Sequence, residues 1–341
     1  MSEHALGDGE LWRLLADTLG DDAWLHADAK LIAGGKSNLT FELTAGNRSV
    51  ILRRPPTGNV LPSAHDMGRE ARVIRALGPT AVPVPEILLE DRTGAVVGAP
   101  FYVMSKVEGL IIRDELPTGF ADTPAEKTTL TNTLVDTLAA IHTVDRAAAG
   151  LEDFGRPHGF MARQLRRWTA QWEASRDGGV SPVDELGKEL APLLPDDGPI
   201  GLVHGDFRLD NCMVDSKDPG RITGVLDWEM STLGDPFADL GMLLFYWRES
   251  GDPIPALTPA VTALPGFPGR EHVAQRYAAQ TGADLATLDV YRAFAHFKFA
   301  VIAQGIAARV ASGAMAGQDF GDLSAEVEST AVAGLEILRQ H

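Results

Sequence analysis

The stretch Leu202-Val203-His204-Gly205-Asp206-Phe207-Arg208-Leu209-Asp210-Asn211 ends an apolar run on an aspartate and sets an asparagine five positions later in a turn-forming context. A second apolar run, Ile222–Leu226, ends in Asp227-Trp228-Glu229. The carboxylates of Asp206 and Asp227 and the amide oxygen of Asn211 are hard oxygen donors of the kind Mg²⁺ prefers. Phosphoryl transfer from a nucleotide to a hydroxyl needs this kit: one aspartate to orient the attacking hydroxyl, an asparagine and a second aspartate to hold metal. Asp206 or Asn211 alone would be read as a turn cap, whereas the spacing of all three favours the chemistry.

His204-Gly205-Asp206-Phe207-Arg208-Leu209-Asp210-Asn211, followed by Val225-Leu226-Asp227-Trp228-Glu229 and Gly234-Asp235-Pro236, resembles the aminoglycoside phosphotransferase and choline kinase families. It is most similar to the phosphotransferase domain joined to some acyl-CoA dehydrogenases, over about Lys30 to Arg309. The resemblance implies an α+β, bilobal protein-kinase-like fold with a small antiparallel-sheet N-lobe and a larger helical C-lobe. It assigns Asp206 as catalytic and Asn211 and Asp227 as metal ligands, with His204 and Asp239 as structural braces of the catalytic loop.

The nucleotide end is expected earlier. Gly34-Gly35-Lys36-Ser37-Asn38 lies between two strand-like stretches, and its two glycines would let backbone N–H groups approach a phosphate closely. A Walker A loop is excluded, because position 30 is lysine and Asn38–Leu43 reads as strand. The segment does resemble the phosphate loop of the families just named. Val50-Ile51-Leu52-Arg53 has the frame of the kinase strand that ends in lysine, with arginine in its place. A period of two puts Ile51 and Arg53 on one side, an apolar ceiling beside a cation whose planar fork still binds phosphate. Glu70, on a helix after Ser63, is the candidate to hold Arg53. Phe101–Gly109 resembles the strand and hinge that meet adenine, with Met104 bordering the base and Ser105 and Val107 offering main-chain groups.

Those residues need two kinds of scaffold. Short strand-like segments at 28–33, 38–45 and 48–54 follow a helix at 9–20; a helix at 64–77 and extended stretches at 85–90 and 100–107 come next. From Glu108-Gly109 the period becomes helical, with Thr123-Pro124-Ala125-Glu126 opening a helix as a capping box. Further helices are expected near 161–176, 182–193, 237–248, 270–281, 285–311 and 321–340, with a strand-turn-strand patch at 200–227. This divides the chain into an N-lobe, 1–108, and a C-lobe, 109–341, which holds most of the acidic excess. The prolines at 253, 255, 259, 265 and 268 mark an irregular loop.

Composition narrows the function. A net charge of −17 over 341 residues offers nothing to attract a nucleic-acid backbone. The single cysteine, Cys212, excludes an intrachain disulfide framework and reads as packing. The longest nearly apolar run, Phe299–Ala308, is about half a membrane span, and the acidic start lacks a secretory-leader layout, so a cytoplasmic protein is expected. Asp153-Phe154-Gly155 spells a kinase metal motif but precedes Asp206, the wrong order for that role. The reading is a small-molecule kinase using ATP, or GTP, and Mg²⁺, with no nucleic-acid or membrane partner. Its acceptor is a hydroxyl, and the nearer resemblance favours a hydroxyacyl compound or its CoA thioester. Arg163, Arg166 and Arg167, on one helix face, are the candidates to bind that acceptor's anionic end. An aminoglycoside acceptor and a nucleotide-binding pseudokinase scaffold are the alternatives.

Overall fold

The computed structural model describes residues 6, 9–32, 38–56, 66–176, 178–179, 181–253, 256–312 and 320–340. In chain order its first elements are α1 (Glu10–Leu19), β1 (Asp28–Leu31), β2 (Leu39–Ala45), β3 (Arg48–Arg54), α2 (Met67–Leu77), β4 (Ile87–Asp91), β5 (Phe101–Ser105) and β6 (Leu110–Ile111). There follow α3 (Pro124–His142), α4 (Phe160–Ser175), α5 (Pro182–Leu190), β7 (Gly201–Val203), β8 (Cys212–Val214), β9 (Ile222–Val225) and β10 (Thr232–Gly234). The chain continues with α6 (Phe237–Tyr246), α7 (Arg270–Thr281), α8 (Leu288–Ala311) and α9 (Leu323–Gln340). Two compact units result: Met1–Gly109 with Thr223–Ser231, and Leu110–Ile222 with Thr232–His341.

The first unit is built on an antiparallel sheet in the order β1-β2-β3-β5-β4. Alternation along β3 decides its two faces. Val50 and Leu52 join Leu43, Phe101, Val103, Leu11, Leu15 and Trp24 in an apolar core. Ile51 and Arg53 therefore take the other face, where Ile51 pairs with Met104 and Arg53 with Tyr102 across the β3–β5 ladder. Helix α2 starts at Met67, with the Asp66 side chain accepting from the Arg69 N–H at 2.9 Å. Ser63, after which the helix was expected, lies outside the described residues.

The second unit is helical. The Thr123 capping box forms, Oγ1 accepting from the Glu126 N–H and Glu126 accepting in return. Leu130, Leu134, Leu138 and Ile141 are buried on α3. Helix α8 is apolar on nearly every side and packs against α4, α5, α6 and α9, so it runs through the interior of its unit. At Gly241 of α6 a Cβ would stand 2.6 Å from the Tyr291 carbonyl, which is why these helices can approach so closely. Two short strands were not foreseen: β6, which pairs with β8, and β10, which pairs with β7. Residues 200–227, read as one patch inside the helical part, are divided, with 223 onward grouping with the sheet unit. Among the described residues no helix is long and apolar enough to cross a membrane.

Candidate active site

In the second unit, β7 delivers the chain into a tight loop at Gly205, whose φ of +91° only glycine adopts freely. Asp239, on α6, anchors that loop. Its buried carboxylate accepts from the N–H of His204 at 2.6 Å and of Gly205 at 2.9 Å. It also faces His142 Nε2 at 3.3 Å. Because an ionised carboxylate only accepts, Nε2 carries a proton, and Nδ1 is hydrogen-bonded to the Tyr277 hydroxyl at 2.7 Å. Burial works to raise the Asp239 carboxyl, but the bonds from His142 and the loop amides outweigh it and hold the group below the ordinary carboxylate range.

Asp206 is held from several sides. Asn211 Nδ2 donates to its backbone carbonyl at 2.8 Å and to Oδ2 at 3.1 Å. The Tyr246 hydroxyl donates to Oδ1 at 3.2 Å, and Arg208 Nε lies 3.4 Å from Oδ2. The same Arg208 pairs with buried Asp210 at 3.1 Å and stacks over the Tyr246 ring. Since Asn211 spends its NH₂ on Asp206, its amide oxygen is the atom left to meet a cation. Lys298, from α8, reaches the Gly205 carbonyl at 3.1 Å. Arg208 and Tyr246 also line a small depression with Ile112, Asp210, Leu243, Trp247 and Thr262.

In the first unit, Arg53 bridges two acids, Glu70 at 2.8 Å and Asp227 at 3.0 Å. Burial raises the Glu70 carboxyl to about 7 against the pull of Arg53. Burial of the Arg53 guanidinium works against its charge, but Glu70, Tyr102 and Asp227 more than offset it, and the group stays protonated. Asp227 has φ +65°, a left-handed conformation that aspartate tolerates better than most side chains. Its carboxylate is 38% exposed, open enough to take a further ligand. Two residues on, Glu229 accepts from the Asn38 side-chain amide at 3.2 Å.

Gly34, Gly35, Lys36 and Ser37 lie outside the described residues; Asn38 is buried. Ile51 and Met104 are buried partners. The Ser105 N–H is engaged by the Glu86 carbonyl at 2.9 Å, so that donor is not open to a base. Val107 packs over Gly224, where a Cβ would lie 3.0 Å away. Asp206 and Asn211 thus gather on one unit, and Arg53, Glu70 and Asp227 on the other.

A match to the sequence profile of the phosphotransferase enzyme family runs over residues 10–294. The chain belongs to that family. It is 37% identical over 310 residues to rat acyl-CoA dehydrogenase family member 11, covering 90% of the chain but 39% of that relative. The chain thus spans about two fifths of the length of such curated relatives. A solved candidate aminoglycoside phosphotransferase from Ralstonia eutropha is 31% identical, with a TM-score of 0.80 over 95% of this chain and 98% of the other. A thermostable aminoglycoside phosphotransferase variant, solved with ADP and hygromycin B, shares the fold at 17% identity, with a TM-score of 0.62 over 96% and 98% of the two chains. The fold class is the expected one, an antiparallel-sheet unit and a larger helical unit of the kinase-like kind.

Of the phosphotransferase's α4 arginines, Arg167 comes near the catalytic loop, because its guanidinium and the Lys298 ammonium both lie against the Trp168 ring. Arg163 turns back to the carbonyls of Arg156 and His158, just ahead of α4. Arg166 and Arg167 are exposed, and Arg167 lies over the Trp168 ring. Phe154 is buried in a loop. Cys212 is buried too, and burial pushes its thiol well up, so it is no nucleophile. Tyr246 and Lys298 were not singled out for the catalytic loop. Lys298 did carry a signal, as a cation in the otherwise apolar run Phe297–Ile302.

Proposed function

We propose that this protein is an ATP-dependent small-molecule kinase in which Asp206 orients the acceptor hydroxyl. The observation that carries the reading is the grip on Asp206. Tyr246, Asn211 and Arg208 fix its carboxylate, yet it keeps 23% of its side-chain surface open to a hydroxyl. A carboxylate so held accepts the hydroxyl proton as the oxygen attacks the γ-phosphorus, and the bond from that phosphorus to the β-phosphate oxygen breaks.

Arg53, steadied by Glu70, binds phosphate oxygens. Ile51 and Met104 border the adenine, with Val107 and the Ser105 carbonyl as the main-chain groups beside it; Gly34, Gly35, Lys36, Ser37 and Asn38 form the phosphate loop. The donors fit Mg²⁺: the free amide oxygen of Asn211 and the open carboxylate of Asp227 are hard oxygens. Among the described residues no group of three or more His, Cys, Asp or Glu is placed to hold a metal, and Mg²⁺ shared with nucleotide phosphates needs only one or two carboxylates. Bound there, Mg²⁺ would neutralise charge developing on the phosphates.

The acceptor we favour is a hydroxyacyl compound or its CoA thioester. What supports it is the likeness to the acyl-CoA dehydrogenase family members, which extends over 90% of the chain. Arg166 and Arg167 are the exposed cations available to a carboxylate or CoA phosphate, Arg163 being spent on carbonyls. A cytoplasmic setting is part of the same reading.

The test is release of ADP from MgATP, or of GDP from MgGTP, with short- and medium-chain hydroxyacyl-CoAs and with hygromycin B. Phosphorylated hydroxyacyl-CoA, lost in Asp206→Asn, is expected. Turnover of hygromycin B alone would replace the acceptor assignment with the antibiotic one, and nucleotide binding without turnover would leave a scaffold.

A further inference from the structure

Lys298 sits in the middle of α8 among Phe294, Phe297, Phe299, Ala300 and Val301, all buried, and is itself 8% exposed. A lysine on an apolar helix ordinarily extends its stem and leaves the ammonium in water. Here the ammonium stays inside, and burial lowers its pKa while Asp206 and Asp239 pull the other way. Taking an ammonium out of water is costly, and an apolar side chain of like volume is often tolerated or preferred at such a place. A lysine placed there against that cost points to function.

What the ammonium touches gives the function. Its Nζ donates to the Gly205 carbonyl at 3.1 Å and lies 5.6 Å from the centre of the Trp168 ring. That carbonyl belongs to the peptide joining Gly205 to Asp206. The N–H of the same peptide donates to His204 Nδ1 at 3.3 Å. The peptide that carries Asp206 is therefore gripped on both sides, the carbonyl by Lys298 and the N–H by His204. Gly205, with its positive φ, supplies no side chain to stop this peptide rotating.

We propose that Lys298 is a positioning residue for phosphoryl transfer, locking the Gly205–Asp206 peptide so that the Asp206 carboxylate meets the hydroxyl in one orientation. The inference rests on the reading of Asp206 given above. A displacement of about 1 Å at a reacting group costs on the order of 10²-fold in rate, so loss of the lock should be felt in turnover and not in nucleotide affinity.

The test uses the full chain and transfer from MgATP to water, an acceptor that is always present. Lys298→Met is expected to slow hydrolysis about 10- to 100-fold while the MgATP Kd stays within about twofold. Amide exchange at Asp206 should quicken, with α8 itself still protected. In an Asp206→Asn background the same change should cost less than about threefold, because residues acting as a unit are not additive. If Lys298→Met does not fold, Lys298→Gln carries the same measurements. A wild-type rate and wild-type exchange beside an inactive Asp206→Asn protein would overturn this inference alone. So would an equal loss in both backgrounds. A fully active Asp206→Asn protein would overturn the reading of Asp206, and the role of Lys298 with it.

Discussion

Replacing Asp239 with asparagine tests the foundation of the catalytic loop. The carboxylate takes two short bonds from the His204 and Gly205 amides, 2.6 and 2.9 Å, and a longer one from His142, all in a buried setting. Hydrogen bonds to a charged group contribute about 1.5–3 kcal/mol each. Asparagine keeps one acceptor, turns an NH₂ toward a second donor and removes the charge. The expected loss is therefore about 3–5 kcal/mol, the scale found when one member of a buried charged set is removed. For a unit of this size that lowers the melting temperature by roughly 10 °C. The sign with pH follows from the depressed carboxyl. Between the folded and unfolded pKa the unfolded chain binds more protons, so the stabilisation is complete above about pH 4, the unfolded value. It is lost as pH falls through the folded value. Thermal melts of both proteins from pH 7 down to pH 3 should converge toward the acid end. A variant that melts within about 2 °C of wild type at pH 7 would show that the loop does not hang on Asp239.

Three other changes probe separate parts of the site. Asp227→Asn keeps a side chain that tolerates the left-handed backbone, so it isolates the charge: the Mg²⁺ concentration for half-maximal turnover should rise at least ~10-fold, and superimposable titrations would place the metal elsewhere. Tyr246→Phe removes the donor to Asp206 Oδ1 and should lower kcat by about 10-fold with the ATP KM unchanged; an unaltered kcat would make Tyr246 a packing residue only. Glu70, raised to about 7 by burial, contributes stability that is complete below its unfolded value near 4.3 and lost as pH rises through about 7. Melts of the sheet unit should therefore weaken from pH 5 to pH 8 in wild type and stay level in Glu70→Gln, and parallel slopes would refute the assignment.

What could be read from the chain was what short-range chemistry dictates. The period of two on β3 separates Val50 and Leu52 from Ile51 and Arg53 without knowledge of any neighbour, and the Thr123 capping box announces α3 from four residues. The turn residues around Asp206 and Asn211 likewise declare themselves locally. Three-residue strands such as β10 carry too little pattern to be seen; they exist because a partner strand pairs with them. Arg163 illustrates a different limit. Its helical spacing puts it on a face with Arg166 and Arg167, but the carbonyls of Arg156 and His158, in the turn ahead of α4, lie within its reach and take its N–H groups. Periodicity gives the face of a helix, not the competing acceptors within reach of a long side chain.

The groups that complete the Asp206 site were hidden for the same physical reason that makes them effective. Tyr246 ends α6 and Lys298 lies in the middle of α8, two helices apolar enough to sit inside their unit, where periodicity no longer distinguishes one face from another. An interior helix can present a single polar atom to a loop with little freedom to move, since close packing fixes its neighbours. The loop residues provide the reacting carboxylate, and the interior helices provide its rigidity. A motif search finds the first because it is contiguous. The second shows itself in sequence only as a residue that burial should have excluded, a lysine among phenylalanines, and that mismatch with its surroundings is the signal to follow.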